Sequence, residues 1–527
     1  MKLRIGMPLS ALLLLALTAC GVNPVTGKQE LQFVSETQEI QLGQQNYAPM
    51  RQSEGGDYAV LPELSAYINE VGQKLVAANN SILVSDRKLP FEFTVLNNSV
   101  PNAWALPGGK IAVNRGLLTE LGSEAELAAV LGHEIVHALA RHGAKSQERG
   151  VFLQGGLVAA QIGAVMGGLD QATSALLVGG AGVGTQLITT RYGRDAELQS
   201  DLYGTRLMKA AGYDPTAAVT LQETFVRLSE GRSSSWLEGL FASHPPSAER
   251  VTKNRETVAQ LGAGGDLGRE RYAARLAPLR QMKPAYDKYD QALAALQKKD
   301  TAAAKTLAAE ASRLVPREAQ FQQLLGDIAV SEKRNQEALG YFQRAQELNP
   351  GYFGSWLGGG VAQYRLNNRA VAEQWLKRSY ELLPTAPAAL YLGNISRDQG
   401  NQDGALKFYQ TAATSESGVG QEARREAALM DLSRNPASYV AAGVGRDGAG
   451  RSVLLVQNRA PVAIGSIIVT PVLLNAAGQV SQQLQAVRIA GPLEAGAQVA
   501  ADAGLAQLSA EQLQALRFRV DQARAAQ

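Results

Sequence analysis

The chain has one cysteine, Cys20, and only four histidines among 527 residues. With no second cysteine, no intramolecular disulfide can form. Charge of one sign is also scarce: 51 Lys and Arg face 48 Asp and Glu, for a net +3, which excludes a broad basic field for nucleic acid. An uninterrupted apolar run of the roughly 20 residues needed to span a bilayer is missing as well. The length allows roughly three domains.

Two of the four histidines stand in His133-Glu134-Ile135-Val136-His137. By chance such an HExxH would occur on the order of 10⁻³ times in this chain. The flanking Ala129, Val130, Leu139 and Ala140 follow a helical apolar pattern. On a helix, positions i and i+4 share a face, so the imidazoles of His133 and His137 can grip one zinc ion. Glu134 projects beside them, where it can take a proton from an attacking water.

A catalytic zinc needs a third protein ligand. His142 follows His137 by five residues; at about 100° per residue it points away from the ligand face. It is read as a hydrogen-bonding or surface histidine. Glu197 and Asp201 stand four apart on a predicted helix some 60 residues on. In isolation they are an ordinary solvated acidic face. Beside HExxH, Glu197 is the third ligand, and Asp201 orients a ligand imidazole from behind.

The runs HEIVHALARHG and RYGRDAELQSDLYG resemble the gluzincin-type HExxH zinc metallopeptidases of bacteria. Asn23–Gly27, Gln38–Gly43, Asn102–Leu118 and Ser243–Arg250 match further segments of that family, in its order. The likeness covers roughly residues 20–260. It implies His133, His137 and Glu197 as zinc ligands, Glu134 as general base and then acid, and Asp201 as their support. The reaction implied is metal-assisted peptide hydrolysis, zinc polarising the carbonyl and lowering the water pKa toward about 7. His244 contacts the oxyanion, caps the zinc as a fourth ligand in a closed state, or is a plain loop histidine before Pro245. Arg194 and Arg250 orient carboxylates or substrate, or are surface arginines.

Lys110-Ile111-Ala112-Val113-Asn114 is a short β-branched strand after the turn Pro107-Gly108-Gly109. Read as an edge strand, it pairs with extended substrate through Asn102, Ala103, Ile111 and Val113, favouring unfolded proteins. A buried strand without that role is the alternative.

Met1-Lys2-Leu3-Arg4 is a basic leader start, followed by an apolar stretch from Met7 to Ala19. Leu17-Thr18-Ala19-Cys20 has the form of a bacterial lipoprotein cleavage site, so Cys20 is the expected lipidation residue. Two or three acyl chains at roughly 0.8 kcal/mol per CH₂ anchor stably. Gly21 fits sorting to the outer membrane, facing the periplasm. Residues 155–190 are rich in Gly, Ala, Val and Leu, but Asp170, Gln171 and Thr173 interrupt them. They are expected as a helical hairpin near the cleft, a lid or membrane-touching element, rather than a transmembrane pair.

Beyond Gly262-Ala263-Gly264-Gly265, Pro316, Pro350 and Pro384 recur at a period of 34. Gly326, Ala338, Phe342 and Ala345, then Trp356, Gly360 and Ala372, then Gly393, Ala405, Tyr409 and Ala412 fit tetratricopeptide units, the last one residue short. Such repeats stack into a curved solenoid that holds a protein partner, or serve as a spacer. From about 438, stretches at 451–458, 464–474, 482–489 and 516–520 alternate or run β-branched, as in an antiparallel β-sandwich.

The expected architecture is multidomain: a mainly α zincin-like peptidase with a small β-sheet, an α-solenoid and a C-terminal antiparallel β-sandwich. The divisions are 1–19 signal peptide, 20–44 anchor segment, 45–262 peptidase, 263–284 linker, 285–436 solenoid and 437–527 sandwich. The expected function is a lipid-anchored periplasmic zinc endopeptidase acting on misfolded or stalled proteins in outer-membrane protein quality control. The alternative is a chaperone or scaffold that docks an assembly machinery through its repeats, its protease latched or silent.

Overall fold

The computed structural model describes residues 20–146, 192–231 and 244–526. The leader at 1–19 and the glycine-rich 155–190 lie outside the described residues. The chain forms two compact units, residues 1–368 with 381–383, and residues 369–380 with 384–527.

The first unit begins with a two-stranded hairpin, β1 (Cys20–Val22) and β2 (Gln29–Leu31), in which Cys20 pairs with Leu31. Helix α1 (Glu36–Ser53) starts at a capping box between Ser35 and Gln38. Helix α2 (Pro62–Ala77) has Pro at its start and buries Leu64, Tyr67, Ile68, Val71 and Leu75, the spacing of one helical face.

A three-stranded sheet follows: β3 (Glu92–Leu96), β4 (Ala103–Leu106) and β5 (Lys110–Asn114), in the order β3-β5-β4. β5 runs parallel to β3 and antiparallel to β4, so it is the central strand and not the edge strand expected from sequence. Both its hydrogen-bonding sides are taken, and Ile111 and Val113 are wholly buried. Neither can pair with substrate. The edge positions fall to β3 and β4.

The remaining helices of this part are α3 (Arg115–Glu120), α4 (Glu124–Leu139), α5 (Arg194–Ala210), α6 (Thr216–Gly231), α7 (Ala248–Leu261) and α8 (Arg269–Gln297). The expected linker at 263–284 is, from Arg269 on, the first half of α8. Tyr272, Leu276 and Leu279 of α8 are buried in the cluster that holds α2, α4 and the sheet. That cluster runs on through Tyr286 to Phe321. Peptidase and first repeat helices thus share one core, and the expected 262/285 division does not separate two bodies.

Polar groups close the same junction. Asn97 Nδ2 donates to Glu318 Oε1 at 2.9 Å, Tyr286 Oη donates to Glu318 Oε2 at 2.6 Å, and the Arg115 guanidinium lies 3.5 Å over the Tyr286 ring. Glu318 is buried, and these partners satisfy both its oxygens.

The repeats continue as α9 (Thr301–Leu314), α10 (Ala319–Ser331), α11 (Asn335–Leu348) and α12 (Phe353–Arg365). In the second unit come α13 (Arg369–Leu382), most of which belongs there, α14 (Ala386–Asp398), α15 (Gln402–Ala413) and α16 (Gly418–Asp431). Pro316, Pro350 and Pro384 follow the ends of α9, α11 and α13. The turns that precede α9, α11, α13 and α15 repeat too: Lys299, Lys333, Asn367 and Gly400 all take positive φ. A Cβ on Gly326 would stand 2.8 Å from the Phe342 ring, which is why the repeat holds glycine opposite that aromatic.

The C-terminal part is a β-sandwich. One sheet is β10 (Val487–Leu493), β8 (Ile464–Leu474) and β12 (Leu516–Ala525), with β9 (Val480–Gln483) also on β8. The other is β11 (Gln498–Ala501), β7 (Ser452–Asn458) and β6 (Val440–Arg446). All pairings are antiparallel, and Leu454 and Val456 of one sheet share a core with Ile467 and Val469 of the other. The stretch expected at 482–489 is two strands. β6 escaped notice because Ala441-Ala442-Gly443-Val444-Gly445 carries little β-propensity.

Candidate metal centre

Helix α4 carries the metal motif. Ser123 Oγ accepts from the Glu126 N–H at 3.1 Å, and Glu124 and Glu126 suit the positive end of the helix. Glu124 is buried and takes hydrogen bonds from Tyr67 at 2.6 Å, Tyr213 at 2.8 Å and both Nε and Nη2 of Arg271 at 2.6 and 2.7 Å. Burial pushes its carboxyl up, but these donors hold it below its ordinary value. At the other end, Arg141 and Arg87 both pair with buried Glu39 of α1. The metal helix is therefore held at both ends.

Helix α5 crosses α4 at two glycines. A Cβ on Gly204 would stand 2.9 Å from the His133 backbone nitrogen, and one on Gly132 would stand 3.1 Å from the Gly204 carbonyl. This contact, with no side chain between the helices, brings Glu197 and Asp201 under the imidazoles.

Four ligand atoms converge. His133 Nε2 and His137 Nε2 are 2.9 Å apart. His244 Nδ1 lies 3.3 Å from His133 Nε2 and 3.0 Å from Glu197 Oε1. Glu197 Oε1 is 3.4 Å from His137 Nε2. All four residues are buried, and their ligand atoms lie within 4.8 Å of one another. Atoms bound to a tetrahedral zinc at about 2.0–2.1 Å stand about 3.3 Å apart, so this nitrogen and carboxylate set fits zinc. Among the described residues Glu134 Oε2 is buried with no hydrogen-bond partner, an acceptor left open beside the cluster. Its Oε1 faces His244 Nε2 at 3.5 Å.

Around the ligands, His133 Nδ1 meets Asp201 Oδ1 at 3.0 Å. Arg250 donates from Nε and Nη2 to Asp201 at 2.7 Å each, and its Nη1 is 2.9 Å from Glu197 Oε2. The Ser247 cap of α7 places Arg250 there, and its Nη1 also reaches the Pro245 carbonyl at 3.3 Å, tying down the turn after His244. Burial would raise the Asp201 carboxyl, but Arg250 and His133 bring it down to about 2. Burial likewise works against ionising Glu197, yet His244, His137 and His133 hold it well below the usual range. His244 is opposed by burial and raised by Glu197 and Glu134.

Arg194 does not join this group. At the first turn of α5 its side chain is exposed and pairs with Glu249 of α7, away from the ligands. Asn102 is buried, and Ala103 of edge strand β4 shares a cleft with Val130, Leu221, Phe225, Glu134 and His244. Ile111 and Val113 are excluded by their central strand.

One neighbour, Tyr192, went unassigned in the sequence, and His142 takes the hydrogen-bonding one of its two expected roles. Tyr192 stacks on His137, ring centroids 4.1 Å apart and 29° between planes. His142 is no surface residue: its Nδ1 is 3.0 Å from His137 Nδ1 and its Nε2 is 3.1 Å from Gln199 Oε1. Burial pushes its imidazole down to about 4. The helical projection failed there because α4 ends at Leu139 and Arg141 takes φ 63°, turning His142 back beneath His137. Tyr192 stands only five residues before Glu197, but an aromatic there carries no spacing signal.

The sequence profile of peptidase family M48 matches residues 62–258. This part of the chain is similar to the M48 zinc metallopeptidases. A Vibrio cholerae relative described as a putative beta-barrel assembly-enhancing protease is 33% identical over 205 residues, 38% of this chain and 40% of that protein. The beta-barrel assembly-enhancing protease of Escherichia coli is 28% identical over 479 residues, covering 78% of this chain and 91% of its own. The mitochondrial metalloendopeptidase OMA1 of Schizosaccharomyces pombe is 32% identical over 241 residues, 45% of this chain and 66% of its own. A thermophilic TPR protein of Thermus thermophilus is 22% identical, with TM-score 0.26, over 32% of this chain and 92% of its own. Among the described residues no helix is long and apolar enough to cross a membrane.

Proposed function

We propose that the chain is a periplasmic zinc endopeptidase, anchored to the outer membrane through a lipid on Cys20, that hydrolyses misfolded or stalled proteins. The observation that carries this reading is the convergence of His133, His137, Glu197 and His244 beside the open acceptor of Glu134. When bound, zinc polarises the scissile carbonyl and acidifies water. Glu134 accepts the proton of the attacking water and returns it to the leaving amine. His133, His137 and Glu197 hold the metal, while Asp201 and Arg250 keep His133 and Glu197 in place. An extended substrate lies along the cleft beside Ala103 of β4, held by its main chain.

His244 Nδ1 at the fourth corner favours a closed resting state, with its imidazole across the face of Glu134. The relatives' name, beta-barrel assembly-enhancing protease, supports a role in beta-barrel assembly, and the repeats supply the surface for an assembly machinery or an unfolded client. A second reading, a docking scaffold with the protease latched, rests on the same placement of His244. Casein cleavage by purified wild type and Glu134→Gln tests the assignment. Loss of cleavage with zinc content retained is expected; equal cleavage by the two proteins would refute it.

A further inference from the structure

The two HExxH imidazoles are held from behind by different chemistry. His133 Nδ1 faces a carboxylate, Asp201 Oδ1, at 3.0 Å. His137 Nδ1 faces another imidazole, His142 Nδ1, also at 3.0 Å. Two imidazole nitrogens at that distance share one hydrogen, so one must donate and the other accept. Beyond His142, its Nε2 meets Gln199 Oε1 at 3.1 Å.

We propose that His142 is a positioning residue of the zinc site, and that the relay Gln199–His142–His137 sets which nitrogen of His137 faces the metal. A carbonyl oxygen only accepts, so Gln199 Oε1 keeps the hydrogen of His142 on Nε2. His142 Nδ1 is then the acceptor and takes the N–H of His137 Nδ1. That leaves the lone pair of His137 on Nε2, the atom 2.9 Å from His133 Nε2 and 3.4 Å from Glu197 Oε1. Run the other way, the relay puts a hydrogen on His137 Nε2, pointing into the cluster and excluding a metal. Ser200 Oγ, 3.4 Å from His142 Nδ1, is a second donor toward the same acceptor. His137, His142 and Ser200 are all buried, so water does not compete for these bonds. A neutral acceptor also orients His137 without adding a further charge to a pocket that already holds Glu134, Glu197 and Asp201.

Zinc affinity of the full chain, measured by chelator competition, tests the relay. Gln199→Glu keeps an acceptor against His142 Nε2 and is expected to bind zinc within about threefold of wild type. Gln199→Lys offers only donors, turns the relay round, and is expected to lose roughly 10–100-fold. His142→Phe is expected to lose as much, and His142→Asn, whose amide oxygen can accept from His137, to recover part. Melting of the metal-free proteins separates this from misfolding. If Gln199→Lys melts low, Gln199→Met, which can neither donate nor accept there, replaces it against Gln199→Glu. Equal zinc affinity for the Glu and Lys (or Met) variants, or wild-type affinity in His142→Phe, overturns the relay. The inference rests on zinc occupying this cluster; a wild-type chain that binds no zinc would remove that premise instead.

Discussion

Asp201 Oδ1 lies 3.0 Å from Nδ1 of His133, and Arg250 grips both oxygens of the same carboxylate. The carboxylate is thus oriented by one partner and orients the other. Asp201→Ala is expected to lower zinc affinity about 10–100-fold and cleavage with it. Chelator competition reads the first and casein hydrolysis the second. Wild-type affinity in this variant would mean that His133 needs no such support.

His244 occupies the fourth corner of the ligand set. Its replacement in His244→Ala leaves three protein ligands and uncovers Glu134. Basal cleavage is expected to rise while zinc is retained. A drop in cleavage would assign His244 to the transition state instead, and no change would leave it without either role.

Gly204 has no room for a side chain. In Gly204→Ala the new Cβ meets backbone of α4, so the helices must part. Expected are weaker zinc binding and a loss of about 1–3 kcal/mol of stability from overpacking. Urea unfolding of the metal-free chain measures the second effect alone.

Glu124 gives a pH dependence. Its carboxyl is held below its ordinary value in the folded chain. The stabilisation it brings is therefore present above its unfolded pKa, near about 4.3, and is lost as pH falls through the folded one. Between pH 6 and pH 3, wild type should lose more stability than Glu124→Gln, which lacks this titration. At pH 7 the variant should be less stable by about 1–3 kcal/mol, since it weakens a buried charged acceptor shared by two tyrosines and Arg271. Parallel pH profiles for the two proteins would contradict this.

Truncation tests the shared core. A fragment ending at residue 262 loses Tyr272, Leu276, Leu279 and Tyr286, all buried against the peptidase elements. It is expected not to fold cooperatively, whereas one ending at residue 368 should. Circular dichroism melts of the two fragments distinguish the cases. A cooperative transition in the shorter fragment would restore an independent peptidase domain.

Features carried by short-range spacing were legible without coordinates. The i,i+4 histidines, the i,i+4 acidic pair and the 34-residue period of Pro316, Pro350 and Pro384 each follow from the geometry of one helix or one repeat. The β-sandwich was visible in outline, because alternation over 464–474 is local. β5 was misplaced because a strand buried on both faces reads alike whether it lies at the centre or the edge of its sheet; only its partners decide. Arg194 and Arg250 could not be told apart by residue type, and the α7 cap turns only Arg250 inward.

By itself the sequence determined the chemistry of the metal ligands, since one helical turn of α4 and one of α5 dictate which side chains share a face. It also determined the repeat, because each unit must bury the same small and aromatic positions. Tertiary structure alone decided the rest. It joined the peptidase and the first repeat helices in one core through α8, set His244 at the fourth corner, and folded His142 back beneath His137. Those placements depend on where helices stop and cross, at Arg141 and at Gly132 against Gly204, and a contact between residues far apart in sequence leaves no period for the chain to display.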